Sequence, residues 1–362
     1  MSKADPMEPA PLSDMDLSAY FSSGEPAMPL GSVELPASLF VHRPSASIMS
    51  GISGRASTRN LPEAPRAPAN PQHAMRGDHV PRAFEIEPTL PRPGSVIEKY
   101  RLESVIGIGG FAVVYHARHL LLDTDVALKL LRPSVVQRRP RLPSLLCEEA
   151  RYAARIEHVN VVRMLDVTHS SDITYLVMEL IEGPDLAVML RRRRRLPVKM
   201  VLRILSHVVA GLEAGRRENL IHRDIKPSNI LLTRTGVTKI VDFGLARSAS
   251  AAASSQVVGT VGYMSPEQID RPAQVDFRSD MYSLGVTVYQ ALLGSVPFPT
   301  DDPQQCAELH RTQPVVSPGA VDRSIPNVVS DLVMWLLEKD PRARPASYDD
   351  LRAAVEQCLR RL

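Results

Sequence analysis

A glycine-rich segment, Gly107–Val114, lies between two stretches with the apolar pattern of β-strands. Gly107, Gly109 and Gly110 have no Cβ atom, so their backbone amide groups can approach a polyphosphate closely. A dinucleotide-binding fold is excluded, because a second strand rather than a helix follows the glycines. The alternative is an ordinary β-turn without a ligand. The segment is therefore a candidate phosphate site that needs a second observation.

Lys129 supplies that observation, since it ends the apolar strand pattern Val126–Lys129. A charged group on such a strand needs a compensating partner when it is buried. Glu149, which follows in a segment with helical spacing, lies on the apolar stripe of that helix, whereas Glu148 points about 100° away. The pattern predicts an ion pair between Lys129 and Glu149. The alternative is a surface lysine whose head group reaches solvent.

Three further motifs follow in order. His222–Asn229 reads HRDIKPSN, Val241–Gly244 reads VDFG, and Ser265–Glu267 reads SPE. With these motifs, the sequence resembles the eukaryotic-type protein kinase family, in the form found in bacterial serine/threonine kinases. The resemblance extends from about residue 100 to the C-terminus. It implies a bilobal α+β protein kinase fold, with ATP in the cleft between a small β-rich N-lobe and a larger α-helical C-lobe.

The resemblance also implies catalytic roles. Phosphoryl transfer requires positioning and charge neutralisation more than covalent help from the protein. Asp224 is expected to accept the proton of the attacking hydroxyl, and Lys226 is expected to lie beside the γ-phosphate. Lys129 is expected to hold the α- and β-phosphates while Glu149 holds Lys129.

ATP and Mg²⁺ are the cofactors that the resemblance implies. Mg²⁺ prefers oxygen ligands, and Asn229 and Asp242 are the expected ligands. In the family, Met178 corresponds to the gatekeeper and residues 179–181 to the hinge that meets the adenine edge. The expected nucleotide contacts are Ile106, Gly107, Gly109, Gly110, Val114, Ala127, Lys129, Met178, Glu179, Ile181 and Leu231.

The sequence departs from the family at one glycine and agrees with it at two supporting positions. Ala112 stands where the family has its third loop glycine, and the methyl group is expected to stiffen the loop or to weaken ATP binding modestly. Asp280 resembles the buried helix aspartate that anchors the catalytic loop. Arg344 resembles the arginine that pairs with Glu267.

Specificity and regulation are further expectations. Lys226 and Thr260 are typical of serine/threonine kinases. Arg223 precedes the catalytic aspartate, and in the family such an arginine often binds a phosphorylated activation segment. Phosphorylation of Ser254 or Ser255 is therefore expected to raise activity, by self-phosphorylation or otherwise. The alternative is a flexible Ala/Ser loop with no switch.

The elements that must position these residues change in character along the chain. Strands are predicted first and helices later, as in a β-rich lobe joined to a helical one. The predicted strands are Tyr100–Ile106, Val113–Ala117, Val126–Leu131, Val161–Val167 and Thr174–Glu179. The predicted helices are Leu145–Ile156, Lys199–Glu218, Asp280–Leu293, Val328–Glu338 and a last helix capped by Ser347. The N-lobe is expected at about 96–180 and the C-lobe at about 181–362.

Residues 1–95 are expected to form a disordered tail rich in Pro, Ser and Ala. They hold 15 of the 31 prolines, and proline interrupts regular structure. Residues 1–40 carry a formal charge of −5, and the run Arg191–Arg195 could bind this tail or an acidic substrate. The alternative for the run is a solvated charged surface.

Composition excludes several classes. A net charge of +3 does not indicate nucleic acid as a partner, and the three separated cysteines show no metal-ligand spacing. No signal peptide or long apolar span is evident, so a cytoplasmic protein without a membrane partner is expected. Protein substrates are the expected partners, and the oligomeric state stays open. The alternatives to a protein kinase are a pseudokinase scaffold that binds nucleotide and partner proteins, and a small-molecule phosphotransferase.

Overall fold

The computed structural model describes residue 87 and residues 89–170, 173–243 and 261–362. All of these except residue 87 belong to one compact unit. Within it a sheet is followed by a mainly helical region, so the predicted α+β architecture of two lobes is confirmed. Packing begins before the expected boundary at residue 96. Leu90 is buried in the core of the first lobe, and the Tyr115 hydroxyl donates to the Pro91 carbonyl oxygen at 2.9 Å.

Six antiparallel strands form the first lobe, in the spatial order β1-β2-β3-β4-β6-β5. They are β1 (Val96–Ile97), β2 (Tyr100–Ile108), β3 (Ala112–His119), β4 (Thr124–Leu131), β5 (Met164–His169) and β6 (Thr174–Glu179). Side chains alternate between the two faces of the sheet. Tyr115 and Leu128 pack into the outer core, while Val114, Ala127 and Lys129 share the opposite face. The phosphate-binding and adenine-binding candidates therefore lie on one surface.

Two helices connect β4 to β5: α1 (Pro133–Arg138) and α2 (Leu142–Ala153). Helix α2 begins and ends three residues earlier than the predicted 145–156. Pro143 lies in its first turn, where a missing amide proton costs no helical hydrogen bond. Leu146 and Ala150 pack against the sheet, whereas Ile156 follows the helix and belongs to the core of the second lobe.

The second lobe contains one short hairpin and eight of the helices in the described part of the chain. The hairpin strands are β7 (Ile230–Leu232) and β8 (Thr238–Ile240). The helices are α3 (Leu186–Arg193), α4 (Val198–Arg217), α5 (Pro266–Asp270), α6 (Arg278–Leu293), α7 (Pro303–Thr312), α8 (Pro318–Val321), α9 (Asn327–Leu336) and α10 (Tyr348–Arg360). The predicted bounds of α4, α6 and α9 agree within two residues.

Helix α6 is the central helix of this lobe. It is buried along almost its whole length and ends at Gly294, whose φ of +83° is the left-handed conformation favoured at a helix C-terminus. The predicted cap of α10 is also present, since Ser347 Oγ accepts the Asp350 amide hydrogen bond at 3.1 Å. In a capping box, a glutamate at this position accepts a hydrogen bond from the backbone amide of the capping residue. Aspartate is one methylene shorter, and the Asp350 carboxylate accepts a hydrogen bond from the Ser347 hydroxyl instead.

The arginine run begins in the last turn of α3, where positive charge complements the helix dipole. All five arginines are exposed, and Arg195 Nη1 lies 2.6 Å from Asp322 Oδ2. Cys147, Cys306 and Cys358 are buried free thiols. Across the described ranges, no helix is long and apolar enough to cross a bilayer. The predictions for the acidic tail and for Gly244, Ser254, Ser255 and Thr260 lie outside the described residues.

Candidate active site

Asp224 lies in the loop between α4 and β7, where its two carboxylate oxygens have different surroundings. Oδ2 accepts a hydrogen bond from Asn229 Nδ2 at 3.0 Å and lies 2.8 Å from Lys226 Nζ. Oδ1 is buried and has no hydrogen-bond partner among the described residues. Asn229 Nδ2 also donates to the Asp224 carbonyl oxygen at 2.7 Å, so its own Oδ1 points away from Asp224. The loop thus contains one carboxylate oxygen without a hydrogen-bond partner among the described residues and one amide oxygen directed away from Asp224.

Asp280 of α6 anchors this loop through two backbone hydrogen bonds. Its carboxylate accepts the amide hydrogen bonds of His222 at 2.8 Å and Arg223 at 2.7 Å. Burial raises the pKa of Asp280 above its ordinary value, although both amide donors favour the charged form. Arg223 has a φ of +67°, a left-handed conformation that costs free energy for a non-glycine residue. The position of Asp280 agrees with the anchor role that the sequence suggested.

His222 joins the catalytic loop to the segment after β8. Its Nε2 lies 2.7 Å from the Val241 carbonyl oxygen, and its Nδ1 accepts the Asp224 amide hydrogen bond at 3.3 Å. Both contacts fit an imidazole with its proton on Nε2. The Val241 amide also donates to the Asn229 carbonyl oxygen at 3.1 Å. These bonds bring Asn229 and Asp242, the two predicted metal ligands, into neighbouring segments.

Asp242 forms an ion pair with Lys129, in which Asp242 Oδ2 lies 2.7 Å from Lys129 Nζ. Burial alone would raise the pKa of Asp242, but the Lys129 ammonium group outweighs it and holds that pKa below its ordinary value. The predicted Lys129–Glu149 ion pair stays a prediction, and the carboxylate seen beside Lys129 is that of Asp242. Glu149 lies on α2 and is half-buried. The lysine on the inner face of β4 thus obtains a counter-charge from the segment after β8.

Most of the residues predicted to contact adenine lie close together in the first lobe. Val114, Ala127 and Met178 form one buried cluster, against which Ile106 packs. Leu231 is buried on β7, where it pairs with Lys239 of β8, and is not part of that cluster. Ile181 is half-buried just beyond the end of β6.

The glycine-rich segment forms a tight connection between β2 and β3. Gly107 pairs with Val114, and the Gly109 amide donates to the Ala112 carbonyl oxygen at 2.9 Å. A Cβ atom on Gly110 would meet no atom within 4 Å. Ala112 is 4% exposed and packs with Leu146 and Ala150 of α2, as well as with sheet residues. Its methyl group therefore points into the first lobe.

Lys239 is a positioning candidate that sequence reasoning did not single out. Its Nζ lies 2.7 Å from Glu179 Oε1, at the start of the predicted hinge. The same oxygen accepts the Arg163 amide hydrogen bond at 2.8 Å, and the Glu179 amide donates to the Arg163 carbonyl oxygen. Lys239 precedes Asp242 by three residues, so the pair joins the hinge to the strand that leads to Asp242. In the sequence, Lys239 is an ordinary polar residue in a short strand, so nothing marks it as a site residue.

Glu267 and Arg344 form a buried pair below the site, as the resemblance suggested. Arg344 Nη1 lies 2.6 Å from Oε1 and Nη2 lies 2.9 Å from Oε2, in a two-point geometry. Burial would raise the pKa of Glu267, but the Arg344 hydrogen bonds hold it below its ordinary value. Gln268, the next residue, donates to the Arg223 carbonyl oxygen at 2.8 Å. The pair therefore supports the catalytic loop through α5.

These groups fit Mg²⁺ and a nucleoside triphosphate. Asn229 and Asp242 offer the oxygen ligands that Mg²⁺ prefers, and Lys129 and Lys226 offer positive charge for phosphates. In the described part of the chain, no cluster of three or more His, Cys, Asp or Glu side chains could hold a metal ion alone. Mg²⁺ sites in nucleotide-binding proteins commonly use one or two protein oxygen ligands, which Asn229 and Asp242 would provide here.

Comparison with known proteins gives a matching family and several relatives. The family model described as the protein kinase domain matches residues 100–359. A probable serine/threonine-protein kinase of Clostridium perfringens is 37% identical over 262 residues, which are 72% of this chain and 38% of the relative. A probable serine/threonine-protein kinase of Streptomyces coelicolor is 36% identical over 270 residues, which are 72% of this chain and 40% of the relative. The serine/threonine-protein kinase PknB of Mycobacterium leprae is 33% identical over 269 residues, with 72% and 43% covered. The chain thus spans about two fifths of the length of these relatives.

Proposed function

The chain belongs to the protein kinase family, and we propose that it transfers the γ-phosphoryl group of ATP to serine or threonine hydroxyls of protein substrates. The observation that carries the proposal is the asymmetric environment of Asp224. Asn229 and Lys226 hold one carboxylate oxygen, and the other is buried and free of hydrogen bonds within the described residues. Because this oxygen has no hydrogen bond to give up, a substrate hydroxyl that enters the site and reaches it would be oriented for attack and would transfer its proton to it.

The remaining residues have supporting roles in the proposal. Asn229 and Asp242 would hold Mg²⁺, which would neutralise charge on the phosphates. Lys226 would stabilise the γ-phosphate, and Lys129 the α- and β-phosphates. The cluster around Val114 would enclose the adenine ring from the first lobe, with Leu231 contacting it from β7. Residues 179–181 would meet the polar edge of the base.

Regulation would act through the partner of Lys129. Kinases of this family need the lysine paired with the acidic residue of the helix that follows in the first lobe. Here Lys129 pairs with Asp242, and Glu149 is the predicted partner on α2. Activation would therefore release Asp242 from Lys129 so that it can bind Mg²⁺, with Glu149 as the proposed partner of the lysine in the active state. Phosphorylation of Ser254 or Ser255 is the proposed trigger.

Protein substrates, including the chain itself, are part of the proposal. The relatives' printed names describe serine/threonine-protein kinases, which supports this substrate class over a small molecule. Because ATP is the phosphoryl donor, the proposal also requires the catalytic domain to lie in the cytoplasm.

The test is incubation with γ-labelled ATP and Mg²⁺, with a mixture of dephosphorylated proteins and, separately, with small hydroxylated metabolites. The expected result is label on serine or threonine of proteins, including this chain. Label on small molecules alone would replace the proposal with a small-molecule phosphotransferase. Nucleotide binding without any transfer, before and after treatment with an active kinase, would favour a pseudokinase scaffold.

A further inference from the structure

Helix α4 contains a glycine where its backbone does not require one. Gly215 lies in the last turn of this helix, is buried, and has an ordinary helical conformation. Glycine at such a position weakens a helix relative to alanine. The reason for glycine must therefore lie in what packs against it.

The side chain that packs there is Phe243. A Cβ atom at position 215 would lie 2.2 Å from Cε1 and 2.5 Å from Cζ of the Phe243 ring. Carbon atoms in contact lie about 3.5–4.0 Å apart, so an alanine would force the ring to move away by more than about 1 Å. The ring has little room for this, because it is 4% exposed and its edge contacts His222, with ring centroids 4.9 Å apart.

Displacement of this ring would reach the predicted metal ligand. Phe243 directly follows Asp242, whose φ of +64° is a left-handed conformation that its surroundings must maintain. The other neighbour, Val241, is fixed by its hydrogen bonds to His222 and Asn229. Movement of the ring would therefore be taken up at Asp242.

We propose that Gly215 is a positioning residue: the space left by its missing side chain seats Phe243 and thereby sets the direction of the Asp242 carboxylate. The inference rests on the proposed function in so far as Asp242 binds Mg²⁺ for phosphoryl transfer. In the sequence, the visible signal is a glycine inside a helical pattern, which often marks a close approach.

The experiment compares wild type, Gly215→Ala, Phe243→Leu and the double variant. Three quantities are measured: the melting temperature, the increase in melting temperature caused by Mg²⁺–ATP over ATP alone, and the Mg²⁺ concentration that gives half the maximal transfer rate. Gly215→Ala should lower the melting temperature and the Mg²⁺-dependent increase, raise the half-maximal Mg²⁺ concentration about tenfold, and lower kcat about 10- to 100-fold. In the Phe243→Leu background, Gly215→Ala should have a markedly smaller effect on each quantity, because leucine lacks the ring atoms that the new Cβ atom would meet.

Gly211→Ala is the matched control on the same helix. A Cβ atom at position 211 would approach Asn160 O at 2.8 Å and Ile240 Cδ1 at 2.9 Å, not Phe243. Its effects should not shrink in the Phe243→Leu background. If Gly215→Ala does not fold, the double variant must fold, and its failure would overturn the inference.

Two other results would also contradict the inference: a Gly215→Ala protein that matches wild type, or effects of equal size with Phe243 and with leucine. The melting temperatures decide the matter even if the wild type transfers no phosphate, so failure of the proposed function would be recognised separately.

Discussion

Replacement of Arg344 by methionine should be among the most damaging single changes outside the site. The arginine side chain is fully buried, and all five of its N–H donors are used. Two bind Glu267, and the others bind the carbonyl oxygens of Arg278, Glu338 and Lys339. Methionine fills similar space but leaves the Glu267 carboxylate buried with no counter-charge and three carbonyl oxygens without these donors.

The size of the effect follows from that burial. Removal of one partner of a buried ion pair costs about 3–5 kcal/mol. At about 2–4 °C per kcal/mol for a domain of this size, the melting temperature should fall by about 6–20 °C. Arg344→Lys should lie between wild type and Arg344→Met, because lysine keeps the charge but cannot make two parallel bonds to one carboxylate.

Thermal unfolding at pH 7 measures this loss, with Arg342→Met as the matched control. Arg342 lies two residues away and pairs with Asp340 at 2.8 Å, but its side chain is 84% exposed. Such exposed pairs contribute little to stability. If Arg344→Met melts within about 4 °C of Arg342→Met, the reasoning about the buried pair is wrong.

Three further predictions concern the hinge, a buried histidine and the glycine-rich segment. Lys239→Met should raise the KM for ATP about three- to tenfold with a smaller change in kcat, whereas Arg234→Met should change neither, since its ion pair with Glu182 is 3.6 Å long and exposed. Burial lowers the pKa of His310 from 6.5 to about 4, so the unfolded state takes up a proton first and stability is lost as pH falls from 6.5 to 4, by up to about 1.4 kcal/mol per pH unit. Urea unfolding across that range should show a shallower loss for His310→Gln, and an unchanged slope would contradict this. Ala112→Gly should lower stability by about 1–2 kcal/mol through loss of a buried methyl group and greater chain freedom, with the KM for ATP within about twofold; a larger kinetic change would mean that the methyl group acts on the nucleotide.

The fold and most site positions could be predicted because they depend on local patterns. Alternation in β3 and β4 determines that Val114, Ala127 and Lys129 share one face, and the spacing within HRDIKPSN brings Asp224 and Asn229 together. Helix α2 was displaced in the prediction because its apolar stripe continues to Ile156, which packs in the other lobe after the helix has ended.

Long-range choices between similar partners were not predictable. Lys129 could pair with a carboxylate from α2 or from the segment after β8, and the sequence contains both. The Lys239–Glu179 pair and the contact of Gly215 with Phe243 join residues 60 and 28 positions apart. Nothing in their local patterns indicates the partner, since each depends on how α4, β6 and β8 pack.

The central claim is that Asp224 acts on a substrate hydroxyl while other residues bind Mg²⁺ and ATP. The most direct test measures Mg²⁺–ATP binding and phosphoryl transfer for wild type and Asp224→Asn in parallel, with mass spectrometry of the phosphorylated residues. The account predicts that the variant keeps the nucleotide-dependent rise in melting temperature but loses transfer by at least about 10²-fold. Transfer at the wild-type rate by Asp224→Asn would contradict it.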